Sequence, residues 1–372
     1  MRIVVLAAAA LSVMSCSAPA RDGVLDTEAG RIRVETVADG LNYPWSLAHL
    51  PDGGMLVTER TGQMRLVGRG GAPSAPLAGV PKVAAGGQGG LLDVALDPAF
   101  ATSRMVYFSF SEPGERGTAG TAVARGRLEG DRLADVQVIF RQLPKVDGSK
   151  HYGSRLAFAH DGKLFVTTGE RDTFDPSQDL GTHLGKVLRI NPDGTVPSDN
   201  PFVGRAGARP EIWSYGHRNV QGAAVHPETG RLWTHEMGPR GGDELNLDEA
   251  GKNYGWPLVS WGNHYSGRDI PDPPTRPELT DATMHWTPVI SPSGMIFYTG
   301  DAIPAWRGSA LIGGLSAQGI VRVKFDGARP AGEERLPLDV RIRHVSQGPD
   351  GAVYALTDQR SARILRLAPA QE

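Results

Sequence analysis

The 372-residue chain is 40% hydrophobic and 22% charged, ordinary proportions for a globular protein with a buried core. Its 39 Lys and Arg against 41 Asp and Glu leave a formal net charge of -2, so its electrostatics give no reason to expect nucleic acid or an anionic membrane surface as partner. The departure from average usage is 48 glycines and 28 prolines spread along the chain, which points to many turns.

The chain opens like an export signal. Met1-Arg2 gives a basic start, residues 3–13 an apolar run, and Val13-Met14-Ser15-Cys16 places a small residue ahead of the single cysteine. This pattern predicts removal of residues 1–15 and lipidation of Cys16, which would anchor the protein to the outer membrane, facing the periplasm. The alternative is plain secretory cleavage near Ala18 or Ala20 and a soluble secreted product. The run is too short to span a bilayer, which takes about 20 apolar residues. Residues 16–30 read as a polar tether and residues 31–369 as one domain, because no composition shift marks an internal linker.

From there a phrase recurs six times: an alternating apolar run, a Pro/Asp/Gly turn and a second apolar run. In chain order these are SLAHLPDGGMLVTE, LLDVALDPAFATSRMVYFSF, SRLAFAHDGKLFVTTG, GAAVHPETGRLWTHE, SGMIFYTGDAIPAWRGSALIGG and VSQGPDGAVYALTD. Period-two alternation marks strands, and the D-G or T-G pair marks their hairpin connections. Further strand phrases such as GQMRLV, GKVLRINPDG and GIVRVKFDG follow, while amphipathic helical patterning is almost absent. An all-β, six-bladed β-propeller accounts for this economically; two β-sandwiches are the alternative. Residues 71–90, 112–121, 171–183, 196–211 and 262–288 read as insertions, and function is expected where chemically loaded loops converge.

Those loops carry distinctive residues. Gln88 lies in GGQGGLLDVALDP, and an amide there can orient a polar ligand or serve a turn. His151 stands in a glycine-flanked loop before the strand LAFAH, where an imidazole could take a proton from a substrate hydroxyl; a surface histidine is the plainer alternative. In Gly216-His217-Arg218-Asn219 a guanidinium can stabilise a developing oxyanion beside an amide, or form an inter-blade salt bridge. Gly238-Pro239-Arg240-Gly241-Gly242-Asp243-Glu244 combines backbone freedom with carboxylates, as calcium prefers. Arg341 and Arg343 alternate on a strand, so both face one side and can grip carboxylates, or line a solvated face.

In one order over nearly the whole mature chain, GQGGLLDVALDP, the His151 loop, LGKVLRINPDGTVPSDNPF, EIWSYGHRNVQG, EMGPRGGDELN, GKNYGWP and RIRHVSQGPDG resemble the soluble quinoprotein sugar dehydrogenases. That family includes soluble glucose dehydrogenase and bacterial aldose sugar dehydrogenase. The resemblance implies pyrroloquinoline quinone (PQQ) and Ca2+ as cofactors on a six-bladed propeller, with aldoses oxidised at the anomeric carbon to lactones and electrons passed to an external acceptor. It implies His151 as general base, with Arg218 and Asn219 on the quinone oxygens. Gln88 and Tyr265 would line the cofactor pocket, and Arg341 and Arg343 would pair with its carboxylates. The carbonyls of Gly238 and Pro239 would ligate a catalytic calcium, and Glu244 and Tyr254 match a second, structural site. Two departures stand out: Lys150 replaces an aspartate before the histidine, and Gly314-Leu315-Ser316 replaces a cofactor-pairing lysine. Short loops favour a monomer with broad aldose specificity. Two other classes remain open, a calcium-dependent propeller hydrolase such as a lactonase and a non-catalytic saccharide-binding propeller.

Overall fold

A computed structural model describes residues 22–371, so the signal segment 1–15, Cys16 and the start of the expected tether lie outside the described residues. Six antiparallel sheets stand around a central channel as the blades of a β-propeller. Blade 1 is Pro44–His49, Met55–Glu59 and Gln63–Val67; blade 2 is Leu91–Leu96, Met105–Pro113, Ala119–Glu129 and Arg132–Arg141. Blade 3 is Leu156–Phe158, Leu164–Thr167, Lys186–Ile190 and Ile212–Tyr215; blade 4 is Val220–Val225, Leu232–Glu236, Asp243–Asp248 and Met284–Trp286. Blade 5 is Pro292–Phe297, Ala310–Gly314, Gly319–Asp326 and Arg329–Pro337.

Blade 6 closes the ring. The C-terminal strands Ile342–Gln347, Val353–Thr357 and Arg360–Pro369 are completed by the N-terminal strand Gly30–Asn42, paired from Ile32 opposite Pro369 to Asn42 opposite Arg360 with the register shifting beyond Thr36. Closure through strand pairing leaves no open edge between first and last blade.

Alternation along each strand sends apolar side chains to both neighbours, and the resulting core is a ring of inter-blade layers. Val57 meets Leu356 and Ile364 between blades 1 and 6, and Leu56 and Met64 meet Phe108 and Phe110 between blades 1 and 2. Tyr107 and Phe140 pack on Leu164 and Leu188, Phe165 on Val220, Trp233 on Phe297 and Val323, and Leu311 on Val345 and Val353. Each layer joins two blades, so the ring is held by apolar burial at every junction.

Two sequence expectations change. Gly23–Thr27, inside the stretch read as tether, is a strand paired with Gly30–Asn42 as an extra edge. The insertion expected at 112–121 shrinks to residues 114–118, because Met105–Pro113 and Ala119–Glu129 pair directly, Glu112 opposite Gly120. Likewise, 262–288 contains the short strand Gly262–Asn263 and the outer strand of blade 4.

Two histidines, His235 wholly buried and His49 partly buried, couple this fold to pH. Burial pulls His235 down to about 3 and His49 to about 4. The unfolded chain therefore takes up these protons first, near pH 6.5, and the stability present above that pH is lost as pH falls toward the folded-state values. At pH 5 one such histidine accounts for about 2 kcal/mol. Urea unfolding at pH 7 and pH 5 should show a stability loss smaller by about that amount in His235→Leu; equal losses in variant and wild type would contradict this.

Candidate active site

The loaded loops converge at one end of the channel. Gln88, His151, Arg218, Asn219, Gly238, Pro239 and Tyr265 line a cavity of about 480 Å³. A second cavity of about 290 Å³ shares Gln88 and Asn219 with it and is bordered by Arg60, Arg341, Arg343 and Asp358. Of the residues to which the family resemblance gives a site role, Glu244 and Tyr254 alone line neither cavity.

His151 is buried, and it is gripped from three sides. Its Nδ1 lies 2.5 Å from Oε1 of the fully buried Glu170, whose Oε2 accepts from Thr173 N at 2.5 Å and Phe174 N at 2.8 Å. Its backbone N–H donates to Gln88 Oε1 at 2.7 Å. With Glu170 accepting at Nδ1, the ring proton sits there and Nε2 keeps its lone pair toward the cavity. Burial lowers the ring's pKa, joined by the charge of Arg218 and opposed by Glu170 and Asp172.

Residues 170–172 form a clasp on the His151 loop. Glu170 takes the ring, and buried Arg171 donates to the carbonyls of Ala119 (2.6 Å), Gly148 (2.5 Å) and Lys150 (2.7 Å). Asp172 Oδ2 accepts from Lys150 Nζ at 2.9 Å on the exposed rim. His151, Arg171 and Asp172 all have positive φ, at 51°, 62° and 64°, so the clasp holds backbone that non-glycine residues seldom adopt.

Among the described residues Arg218 forms no ion pair; its Nη1 donates to the carbonyls of Met237 (3.0 Å) and Gly238 (2.8 Å). Beneath it Glu236 accepts from Arg218 N at 2.5 Å and His217 Nδ1 at 2.8 Å, so His217 braces the site without entering it. Asn219 Oδ1 accepts from Gly153 N at 3.1 Å, tying this loop to that of His151. Tyr265 is 72% exposed at the mouth, its ring 5.9 Å from the Arg218 guanidinium.

The 238–243 turn closes only because residue 238 is glycine: a Cβ there would lie 2.2 Å from Gly242 O and 2.3 Å from Gly241 O. Asp243 staples it, accepting from Gly238 N (2.9 Å), Ile290 N (2.8 Å) and Ser291 N (2.7 Å). Burial raises Asp243 to about 6 against those three donors.

Behind the turn, a void of about 10 Å³ is lined by Glu236, Glu244, Tyr254 and Ser260. Glu244 is pushed well above the usual carboxylate range, first by burial and then by the charge of Glu236. Tyr254 borders this void, but its hydroxyl is turned away, donating to Leu247 O at 2.5 Å and accepting from Glu249 N at 3.0 Å. Its phenol is therefore engaged away from the void, where Glu236 supplies a second carboxylate beside Glu244.

In the second cavity Arg341 and Arg343 face one side, and both are tied to Asp358, at 3.2 Å and 3.1 Å. Half-buried Arg60 borders the same space without a side-chain hydrogen bond or ion pair among the described residues; its nearest partner is the Tyr43 ring, at 5.2 Å. Leu315, where the quinoprotein family carries a lysine segment, contributes an apolar wall. Sequence reasoning missed Glu170, Arg171, Glu236, Asp358 and Arg60.

A carboxylate-supported imidazole facing a cavity lined by arginines defines a β-propeller enzyme. The sequence profile of the glucose/sorbosone dehydrogenase family matches residues 41–366, and the chain belongs to that family. It is 45% identical to the aldose sugar dehydrogenase YliI of Escherichia coli, over 91% of this chain and 93% of that protein. Among solved structures, the apo form of the soluble E. coli aldose sugar dehydrogenase superposes with a TM-score of 0.87 at 43% identity, covering 91% of this chain and all of the other. A PQQ-bound aldose sugar dehydrogenase from Streptomyces coelicolor superposes with a TM-score of 0.75 at 32% identity, covering 91% and 98%.

Arg171→Met would remove three hydrogen bonds, to the carbonyls of Ala119, Gly148 and Lys150. The expected cost is about 3 kcal/mol or more in chemical unfolding, with faster amide exchange in 148–151. Unchanged exchange there would refute the clasp.

Proposed function

We propose that this enzyme is a calcium-dependent quinoprotein that oxidises the anomeric carbon of aldoses to lactones. The carrying observation is the buried His151–Glu170 pair opening onto a cavity whose other end gathers guanidinium groups around one carboxylate. The names of the E. coli and S. coelicolor relatives support the substrate class, and the quinone bound by the latter supports the cofactor.

The residues present fit both groups. Arg341 and Arg343 bring two positive charges against the single Asp358, an excess suited to a polycarboxylate. The carbonyls of Gly238 and Pro239 form a hard-oxygen donor set suited to calcium; one lone pair of Gly238 O accepts from Arg218 and the other remains. The paired carboxylates of Glu236 and Glu244 beside a void of atomic size suit a second, structural cation. When bound, PQQ would supply the two-electron acceptor and calcium would polarise it.

His151 Nε2 accepts the proton of the sugar's anomeric hydroxyl, and Glu170 stabilises the imidazolium formed. Arg218 would stabilise negative charge on the acceptor's oxygens, and Asn219 and Gln88 would hold the acceptor in place. Tyr265 covers the mouth and limits water. The electrons pass to an external acceptor, and the enzyme acts as a monomer in the periplasm, held by a lipid on Cys16.

Purified protein given calcium and PQQ should reduce a dye with several aldoses and lose this activity on chelation of calcium. Failure to bind the quinone together with failure to reduce the dye would overturn the proposal. Base function is lost as pH falls through the His151 pKa, which burial lowers and the hydrogen bond to Glu170 raises. Glu170→Gln should therefore lower kcat about 100-fold and move the acid limb of kcat/KM to lower pH. An acid limb that stays in place would detach Glu170 from His151.

A further inference from the structure

The second cavity contains more positive charge than the expected clamp explains. Asp358 is buried and already hydrogen-bonded: Arg343 reaches it through Nε at 3.3 Å and Nη2 at 3.1 Å, and Arg341 through Nε at 3.3 Å and Nη2 at 3.2 Å. Arg60 sits on the same wall, at the end of the second strand of blade 1, with its backbone N–H fixed on Tyr43 O at 3.0 Å. Its guanidinium reaches no acceptor among the described residues, although a half-buried arginine normally spends its five donors. Three guanidiniums share one carboxylate, leaving a surplus of two positive charges on one side of the cavity.

Such crowding is unfavourable in the empty protein. Burial lowers the pKa of Arg60, and the like charges of Arg343 and Arg341 lower it further against the pull of Asp358. An unbonded cation held against like charges by its backbone is a feature that a ligand carrying several carboxylates would repay. The segment Gly314-Leu315-Ser316 stands where the resembled family carries its cofactor-pairing lysine, so the third cation must come from another blade.

We infer that Arg60 is a third carboxylate clamp of the cofactor site, working with Arg341 and Arg343. This rests on the quinone reading above. The ligand chemistry is that of a rigid planar polycarboxylate, and Arg60 is a binding residue with no part in proton transfer.

The test uses the cofactor-free protein as wild type, Arg60→Gln, Arg60→Lys and Arg343→Gln. Each is titrated with PQQ, followed by its absorbance, and with benzene-1,3,5-tricarboxylate by calorimetry, at low and high salt. Arg60→Gln should weaken both ligands about tenfold or more and flatten the salt dependence, and Arg60→Lys should recover part of the affinity. The ligand-free melting temperature of Arg60→Gln should equal or exceed that of wild type, because an unpaired like charge is removed. Unchanged affinities in Arg60→Gln, with weakened binding in Arg343→Gln, would overturn the assignment and leave the quinone reading standing. A wild-type protein that does not bind the quinone would overturn that reading and this inference with it. A melting temperature lowered in both Arg60 variants would make the residue structural and equally overturn it.

Discussion

The site rests on one buried arginine. Arg155 enters the channel from blade 3 and donates to Asp93 Oδ1 of blade 2 (3.1 Å), Gln221 O of blade 4 (2.7 Å) and Arg343 O of blade 6 (3.2 Å). Its guanidinium also lies 3.9 Å from the Trp45 ring of blade 1. Five of six blades therefore meet on one planar cation, and Trp45, Gln221 and Arg343 are themselves walls of the second cavity. Burial pulls Arg155 down only to about 10, with Asp93 opposing, so it remains a cation at physiological pH. The apolar layers hold neighbouring blades together pairwise. Arg155 fixes them across the axis, which is what sets Arg343 and the His151 loop at a constant separation.

Above this hub the chemistry is divided between blades. The proposed base and its carboxylate come from loops before and within blade 3, the proposed oxyanion side from the blade 3–4 junction, and the inferred anion clamp from blades 1 and 6. No single loop carries the site. Arg218, His151 and the arginine group would otherwise repel one another or seek partners nearby. Here each is hydrogen-bonded locally, Arg218 to the carbonyls of Met237 and Gly238, His151 to Glu170, and Arg341 and Arg343 to Asp358, leaving Arg60 without a side-chain hydrogen bond among the described residues.

The propeller was legible because six turn-flanked alternations repeat in the chain, and because Gly and Pro mark the hairpins. His151, Arg218, Gln88 and the 238–244 turn were legible as unusual residues in glycine-rich loops. Their partners were not. Glu170 is 19 residues from His151 and Asp358 is 15 from Arg343, each in a segment that reads as ordinary strand end. Arg60 looks like any charged residue at a hairpin, since only the ring closure brings blade 1 beside blade 6. The misread tether has a similar origin: Gly23–Thr27 is short and largely exposed, and its pairing with Gly30–Asn42 becomes visible only once that strand has joined the C-terminal blade.

The central claim is that a quinone bearing several carboxylates lies between the clamp and the base. A crystal structure of the protein soaked with calcium and PQQ tests it most directly. Carboxylate density against Arg60, Arg341 and Arg343, with the quinone oxygens at Arg218 and Asn219 on the His151 side, is the result expected. A quinone bound in the reverse orientation, or outside these two cavities, would contradict it.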